Sequence, residues 1–380
     1  MSALKIKILK EGFSPEKIFK DIFSNDEKNI SFIPFGVNDV KIWTKMSIRK
    51  DILSLNLEPA SRIPSKAANQ VFSKIVQAIK ETCDIELLTH YAKDKWIKSE
   101  NEIPRSETNS IDFENLSIEI GFGKGTWLLE KAEKERWLGI EYSRYSIDQI
   151  NKRKSPNLNV THAPASIVIQ AIPEKKIKRY VCICPDPWPK KRHQKRIWLN
   201  EDTLKDIART LKDDGCFSLA TDHEQLAEYF SELLEDNEWF DISESKEIDE
   251  MISYSKYAKI GKDELRDMHK WHLVKKKHPE SSSAKAFSKD PVQLSTSFAG
   301  LKQLKKQSPE IQSEHGVLKV KEIASGKDGK VLLSLIYVDS LGNSQPFLYI
   351  FDGKKWQFDE FTKPAIDYGL MKSLEKMKKL

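Results

Sequence analysis

Between Cys182 and Arg196 the chain reads C-I-C-P-D-P-W-P-K-K-R-H-Q-K-R, and these residue types suit a reactive loop. The apolar run Tyr180–Cys184 has the composition of a buried strand. Pro185, Pro187 and Pro189 end it, because proline donates nothing to a ladder and keeps its predecessor out of the helical region. Asp186 and Trp188 are thereby fixed in a stiff loop at the strand's carboxyl end. Lys190, Lys191, Arg192, His193, Lys195 and Arg196 follow at once, a cationic run suited to phosphates. A lone carboxylate, an aromatic ring and a dense cationic run on one rigid loop is a combination that stability alone does not require.

A second stretch, I-E-I-G-F-G-K-G at 118 to 125, puts Gly121, Gly123 and Gly125 after a strand and before a helix. Glycines there let the backbone approach a ligand closely. The spacing is not the G-x-G-x-x-G that offers a helix terminus to a pyrophosphate. It also lacks the G-K-[ST] of a phosphate loop. A nucleoside without phosphates suits it better. Glu141, at the end of the next strand, is placed to accept from both ribose hydroxyls.

The elements that position these residues follow from the alternation of apolar runs and helical patterns between about 116 and 276. Strands are expected at Leu116–Ile120, Trp137–Ile140, Leu158–Thr161, Tyr180–Cys184 and Cys216–Ala220, and helices at Thr126–Lys134, Ser146–Arg153 and Ile197–Leu211. Such alternation builds a parallel sheet covered on both faces, with ligands outside the carboxyl ends of the strands. Glu141, Asp186 and Asp222 all fall at those ends.

At 380 residues the chain is long enough for two or three domains, and 39% hydrophobic residues with nine tryptophans supply real cores. The net charge of +6 is modest, but its surplus is concentrated between Lys175 and Arg196, as a local polyanion site requires. An accessory α+β region is expected over 1–110, with a helix at Ala67–Thr82 and a polar exit at Glu100–Ser110. The α/β domain covers 111–278, a linker 279–300, and a small β-rich domain of hairpins closed by a terminal helix 301–380. Four cysteines without paired spacing point to buried thiols in a reducing compartment. With no signal peptide and no membrane-length apolar run, a cytoplasmic protein is expected. His269 and His272 lie on opposite faces of a late strand, so no metal pair is expected there.

Together, I-E-I-G-F-G-K-G, G-I-E at 139–141, the proline-and-basic segment and A-T-D at 220–222 resemble the tRNA (guanine-N7-)-methyltransferases. The resemblance covers roughly residues 115–277. It implies a Rossmann-like class I methyltransferase fold, S-adenosylmethionine as cofactor, and a guanine in the variable loop of tRNA as acceptor. It further implies a cofactor site of Glu119, the Gly121–Gly125 turn and Glu141, with Asp186 as the catalytic-site acid bordering it. Lys190 and Asp222 become substrate contacts. With such a substrate, the basic run including Arg192 would neutralise tRNA phosphates, and Trp188 would either stack on a base or anchor the loop. Two positions depart from the family pattern. Pro164 stands where an Asp or Asn usually meets the adenine end, which leaves backbone contacts for that role. Ser255–Ala258 reads S-K-Y-A in place of T-x-x-E, so Ser255 is retained as a substrate contact without its acid. A tRNA-binding protein of the same fold with weak or no activity, or a methyltransferase on another substrate, remains the alternative.

Overall fold

The computed structural model describes residues 4–9, 13–37, 40–61, 65–89, 102–103, 111–153, 155–187, 197–235, 237–254, 267–279, 290–294, 298–307, 310–340, 342–360, 362–364 and 368–379. The chain divides into two compact units.

The unit spanning Ser99–Phe287 alternates strand and helix as expected. In chain order it contains β1 (Glu102–Ile103), β2 (Leu116–Ile120), α1 (Thr126–Lys131), β3 (Trp137–Glu141), α2 (Arg144–Ile150), β4 (Leu158–His162), α3 (Ala165–Ala171) and β5 (Ile177–Ile183). Next come α4 (Glu201–Thr210), β6 (Leu211–Thr221), α5 (Glu224–Glu235), β7 (Phe240–Ser243), α6 (Lys246–Tyr254) and β8 (His269–Lys275). The strands lie in the order β7-β8-β6-β5-β2-β3-β4-β1. Among the described strands of this unit, only β8 runs antiparallel to the rest. Every residue of β2 is buried, because apolar layers cover the sheet on both faces. One layer gathers Leu116, Ile118, Tyr180, Phe217 and Leu219, the other Trp127, Trp137, Val160 and Val181.

This order fixes where the site must be. The chain passes from β2 outward through β3 and β4, then returns to place β5 on the other side of β2. Strand β2 pairs with β5 (Glu119 opposite Val181) and with β3 (Glu119 opposite Gly139). The glycine turn after β2 and the proline loop after β5 therefore leave neighbouring strands at the point where strand order reverses, the usual ligand crevice of such sheets.

Two expectations need correction. The Glu100–Ser110 stretch is not only a linker: Glu102–Ile103 pairs in parallel with Val160–Thr161 as an edge strand. Its Glu102 accepts from both Arg144 and Asn151, so the unit begins near Ser99. The terminal regions are likewise not two separate accessory parts. Residues 1–98 join 288–340 and 344–380 in one unit, whose antiparallel sheet, of eleven strands among the described residues, continues across the pair Ser24–Ser325. Within it, the helix Ser65–Lys80 lays Ala68, Val71, Ile75 and Ile79 against Ile6, Met46 and Leu53. Phe32, Trp43 and Ala60 share a core with Ala324, Leu332 and Leu348. The hairpins after Gly316 and the terminal helix Tyr368–Lys379 form as the turn signals predict.

Candidate cofactor and acceptor site

The turn after β2 is left-handed at all three glycines, with φ of +72° at Gly121, +54° at Gly123 and +63° at Gly125. Their surroundings separate their roles. A Cβ on Gly125 would lie 2.4 Å from Ile150 Cδ1 and 3.3 Å from Phe122 Cδ2, so this glycine is needed for helix packing. A Cβ on Gly121 or Gly123 would meet nothing within 4 Å. Those two glycines face open space, a cradle that side chains would otherwise fill. The turn is tied to β3 twice: the Gly121 N–H donates to Ile140 O (2.8 Å), and the Gly123 N–H donates to Glu141 Oε2 (3.0 Å). The other Glu141 oxygen accepts from the Ser143 N–H (2.7 Å) at the start of α2. Two backbone donors thus fix the carboxylate at the strand end, and each of its oxygens keeps a lone pair for a ligand.

Glu119 lies one residue before the end of β2 and is 8% exposed, with Oε2 unpartnered among the described residues. Burial first, and then the charge of Glu141, push its carboxyl up to about 8, so it holds a proton at neutral pH. The Cys182 thiol on β5 is raised by burial and by the charges of Cys184, Glu119, Glu141 and Asp186. Glu119, Glu141 and Asp186 lie at or just beyond the carboxyl ends of β2, β3 and β5.

The backbone of β5 ends abruptly. Cys184 sits at φ +51°, a left-handed conformation rare for a residue with a side chain, and its N–H donates to Ala220 O (2.8 Å) on β6. The turn throws Asp186 outward, where it is exposed beside half-buried Pro185 and Pro187. Non-glycine residues held left-handed concentrate at functional sites. Asp222 follows buried Thr221 at the end of β6, where the His223 N–H donates to Thr221 Oγ1 (3.2 Å). Of the predicted site residues, Glu119, Gly121, Gly123, Gly125, Glu141, Asp186 and Asp222 all lie at this one edge of the sheet. Pro164 is buried and caps α3 through its backbone, at φ −62° and ψ 136°. Trp188, Lys190, Arg192 and Ser255 lie outside the described residues.

Sequence reasoning missed two neighbours. Tyr142 and Tyr145 flank Glu141 with 54% and 72% of their surface exposed, and the Tyr142 ring lies 6.2 Å from that of His162, whose Nε2 bonds Tyr142 O (2.9 Å). Aromatic exposure on a helix start was the available signal, but alternation assigns such residues no face. Among the described residues no group of three or more His, Cys, Asp or Glu could hold a metal ion. His272 Nδ1 instead bonds Ser218 Oγ (2.9 Å). No described helix is long and apolar enough to cross a membrane.

A family model described as "Putative methyltransferase" matches residues 114–272. A tRNA (guanine-N(7)-)-methyltransferase of Ureaplasma urealyticum is 30% identical over 187 residues, covering 46% of this chain and 80% of that protein. The chain belongs to this family. The tRNA (guanine-N(7)-)-methyltransferase of Nitrosococcus oceani is 36% identical over 131 residues, 32% of this chain and 56% of that protein. The Thermotoga maritima member, 24% identical, aligns over 284 residues, 69% of this chain and 89% of its own. Against several of its curated relatives, then, the chain spans only about half their length.

The methyltransferase site fits S-adenosylmethionine. The open cradle at Gly121 and Gly123 admits a close ligand, Glu141 has acceptor capacity toward a ribose, and the orphaned Glu119 oxygen awaits a partner.

Proposed function

We propose that this chain transfers a methyl group from S-adenosylmethionine to N7 of a guanine in tRNA. The reading rests on one observation above the others: the glycine cradle and the Asp186 loop leave adjacent strands at the switch point of the sheet. When bound, S-adenosylmethionine supplies an electrophilic methyl group. Guanine N7 carries an in-plane lone pair and no proton at neutral pH, so the protein needs no strong base. It needs alignment, exclusion of water and charge stabilisation. Glu141 and the cradle hold and orient the nucleoside portion. Asp186, on its proline-stiffened loop, accepts a hydrogen bond from the guanine and offsets the positive charge that builds on the purine. Asp222 borders the acceptor from β6. Lys190 and Arg192 neutralise tRNA phosphates and Trp188 stacks on a splayed base, with Ser255 near the acceptor. The setting proposed is the cytoplasm, consistent with four free thiols.

The decisive experiment incubates the protein with labelled S-adenosylmethionine and bulk tRNA, then cleaves the RNA at N7-methylguanosine. Asp186→Ala is expected to lower turnover at least about 100-fold, the scale of losing one charge-stabilising group. Cofactor affinity should stay within a few-fold. Undiminished turnover in that variant would remove Asp186 from the acceptor site. Tight tRNA binding by the parent protein with no methyl incorporation would reduce it to a binding protein of the same fold.

A further inference from the structure

The accessory unit contains a cleft of about 420 Å³ that no step of the methyl transfer uses. Both segments of that unit line it. Phe23, Pro34 and Trp43 come from the first, Ile350 and Phe358 from the second, and together they make an apolar floor. Four lysines and four carboxylates surround this floor.

Most of the charge in a surface cleft is spoken for by its neighbours, and here part of it is. Lys41 lies 3.5 Å from Asp359 and 4.9 Å above the Trp43 ring. The Asp352 carboxylate accepts from the Lys354 and Lys355 N–H groups (2.9 and 3.0 Å), which hold it below its ordinary value. The remainder is uncommitted. Among the described residues, Lys20, Lys327 and Lys330 have no ion pair, and neither do Asp21 and Glu360. The Trp43 indole N–H, in a residue only 1% exposed, also has no partner among the described residues.

That combination restricts the ligand. An apolar ligand leaves three ammonium groups and two carboxylates without purpose. A bare polyanion is attracted by the lysines and repelled by the acids. A ligand with one anionic group, several N–H or O–H donors and a flat apolar body uses all of them, and the volume lies in the range of small-ligand sites. We propose that this cleft binds a nucleotide. The base lies against the floor of Phe23, Trp43 and Phe358, the phosphate meets Lys327, Lys330 and Lys20, and Asp21 and Glu360 accept from sugar or base. The ligand chemistry has two sources, a nucleotide splayed from an RNA strand or a free mononucleotide. Only the RNA source rests on the tRNA reading above.

The test uses the full chain and four probes: GMP, UMP and guanosine by calorimetry, and a fluorescein-labelled tRNA transcript by anisotropy across a salt titration. The parent protein should bind at least one mononucleotide, with guanosine at least about tenfold weaker than GMP where GMP is the ligand, or bind tRNA through this cleft. The double variant Lys327→Glu/Lys330→Glu should weaken whichever probe the cleft holds by at least tenfold. For tRNA, the slope of log affinity against log salt should also become shallower by about two. Loss of mononucleotide binding alone assigns the free source, whereas loss of tRNA affinity assigns the RNA source. Methyl-donor affinity, read in parallel, reports whether the methyltransferase unit is intact and keeps failure of this proposal distinct from failure of the tRNA reading. If the double variant misfolds, Lys20→Glu carries the same comparison. No mononucleotide binding by the parent, together with unchanged tRNA affinity and salt slope in the variants, overturns the proposal.

Discussion

Glu119 shows how much a single buried carboxyl can hold in reserve. Its folded value of about 8 lies above the unfolded 4.5, so between those pH values the folded form binds the extra proton. Stability therefore falls as pH rises through that window, and the loss is complete only above the folded value. Glu119→Gln keeps the shape and removes the titration. In the absence of cofactor, the variant should match the parent near pH 4 and exceed it at pH 8 to 9. The gain has an upper limit of several kcal/mol, at about 1.4 kcal/mol per pKa unit. Chemical denaturation at a series of pH values reads this directly, and parallel stability curves for the two proteins would place the proton elsewhere. The sequence locates this residue only through family resemblance, because alternation assigns a polar residue inside a strand no partner. Glu141, Asp186 and Asp222 are different. Their place follows from being the first acids after apolar runs, and strand ends in a parallel sheet share one edge.

Among the elements, the glycine turn was legible as a close-approach loop, but the sequence could not divide its labour. The three glycines share a left-handed backbone, yet only Gly125 is crowded by Ile150. Gly125→Ala should incur both the left-handed penalty of about 1–2 kcal/mol and a steric clash, and so lower the melting temperature. Gly123→Ala incurs the first alone and places a methyl group in the open cradle. It should therefore lose more methyl-donor affinity than stability. Calorimetric binding and thermal unfolding, measured on both variants, separate the two effects, and identical profiles would contradict the assignment. Other elements were hidden for physical reasons. The α3 sequence A-S-I-V-I-Q-A is β-branched and buried on nearly every side, so it lacks the polar face by which a surface helix is read. The two-residue strand β1 has no periodicity at all and exists because Val160 and Thr161 offer an open edge. The strand expected over Tyr180–Cys184 runs from Ile177 to Ile183. The ladder stops at Ile183, since Cys184 must turn left-handed to lead into Pro185.

At the scale of the whole molecule, the accessory unit is where the sequence was least informative. Two segments separated by the entire methyltransferase unit share one core, and no local pattern records a pairing made across about 300 residues. One buried contact reports on how the segments hold together. Glu58, 4% exposed in the first segment, accepts from Ser334 Oγ (2.9 Å) in the second. Burial raises the Glu58 carboxyl, and the Ser334 hydroxyl, followed by Lys45, draws it back down. Ser334→Ala removes the largest of the opposing influences, so the charged carboxylate loses its donor in the interior. The expected cost is about 1–3 kcal/mol at neutral pH. The sign of its pH dependence follows: a hydroxyl that favours the charged form matters most where Glu58 is ionised, so the deficit should shrink as the carboxyl protonates in acid. Glu58→Gln in the Ser334→Ala background should recover part of the loss at pH 7.5 and little at pH 4.5. Hydrogen exchange resolved by segment is the suitable readout, because protection should fall in 23–61 and 316–358 together if the two segments open as one. An equal deficit at both pH values would mean that Ser334 acts through packing rather than through the carboxylate.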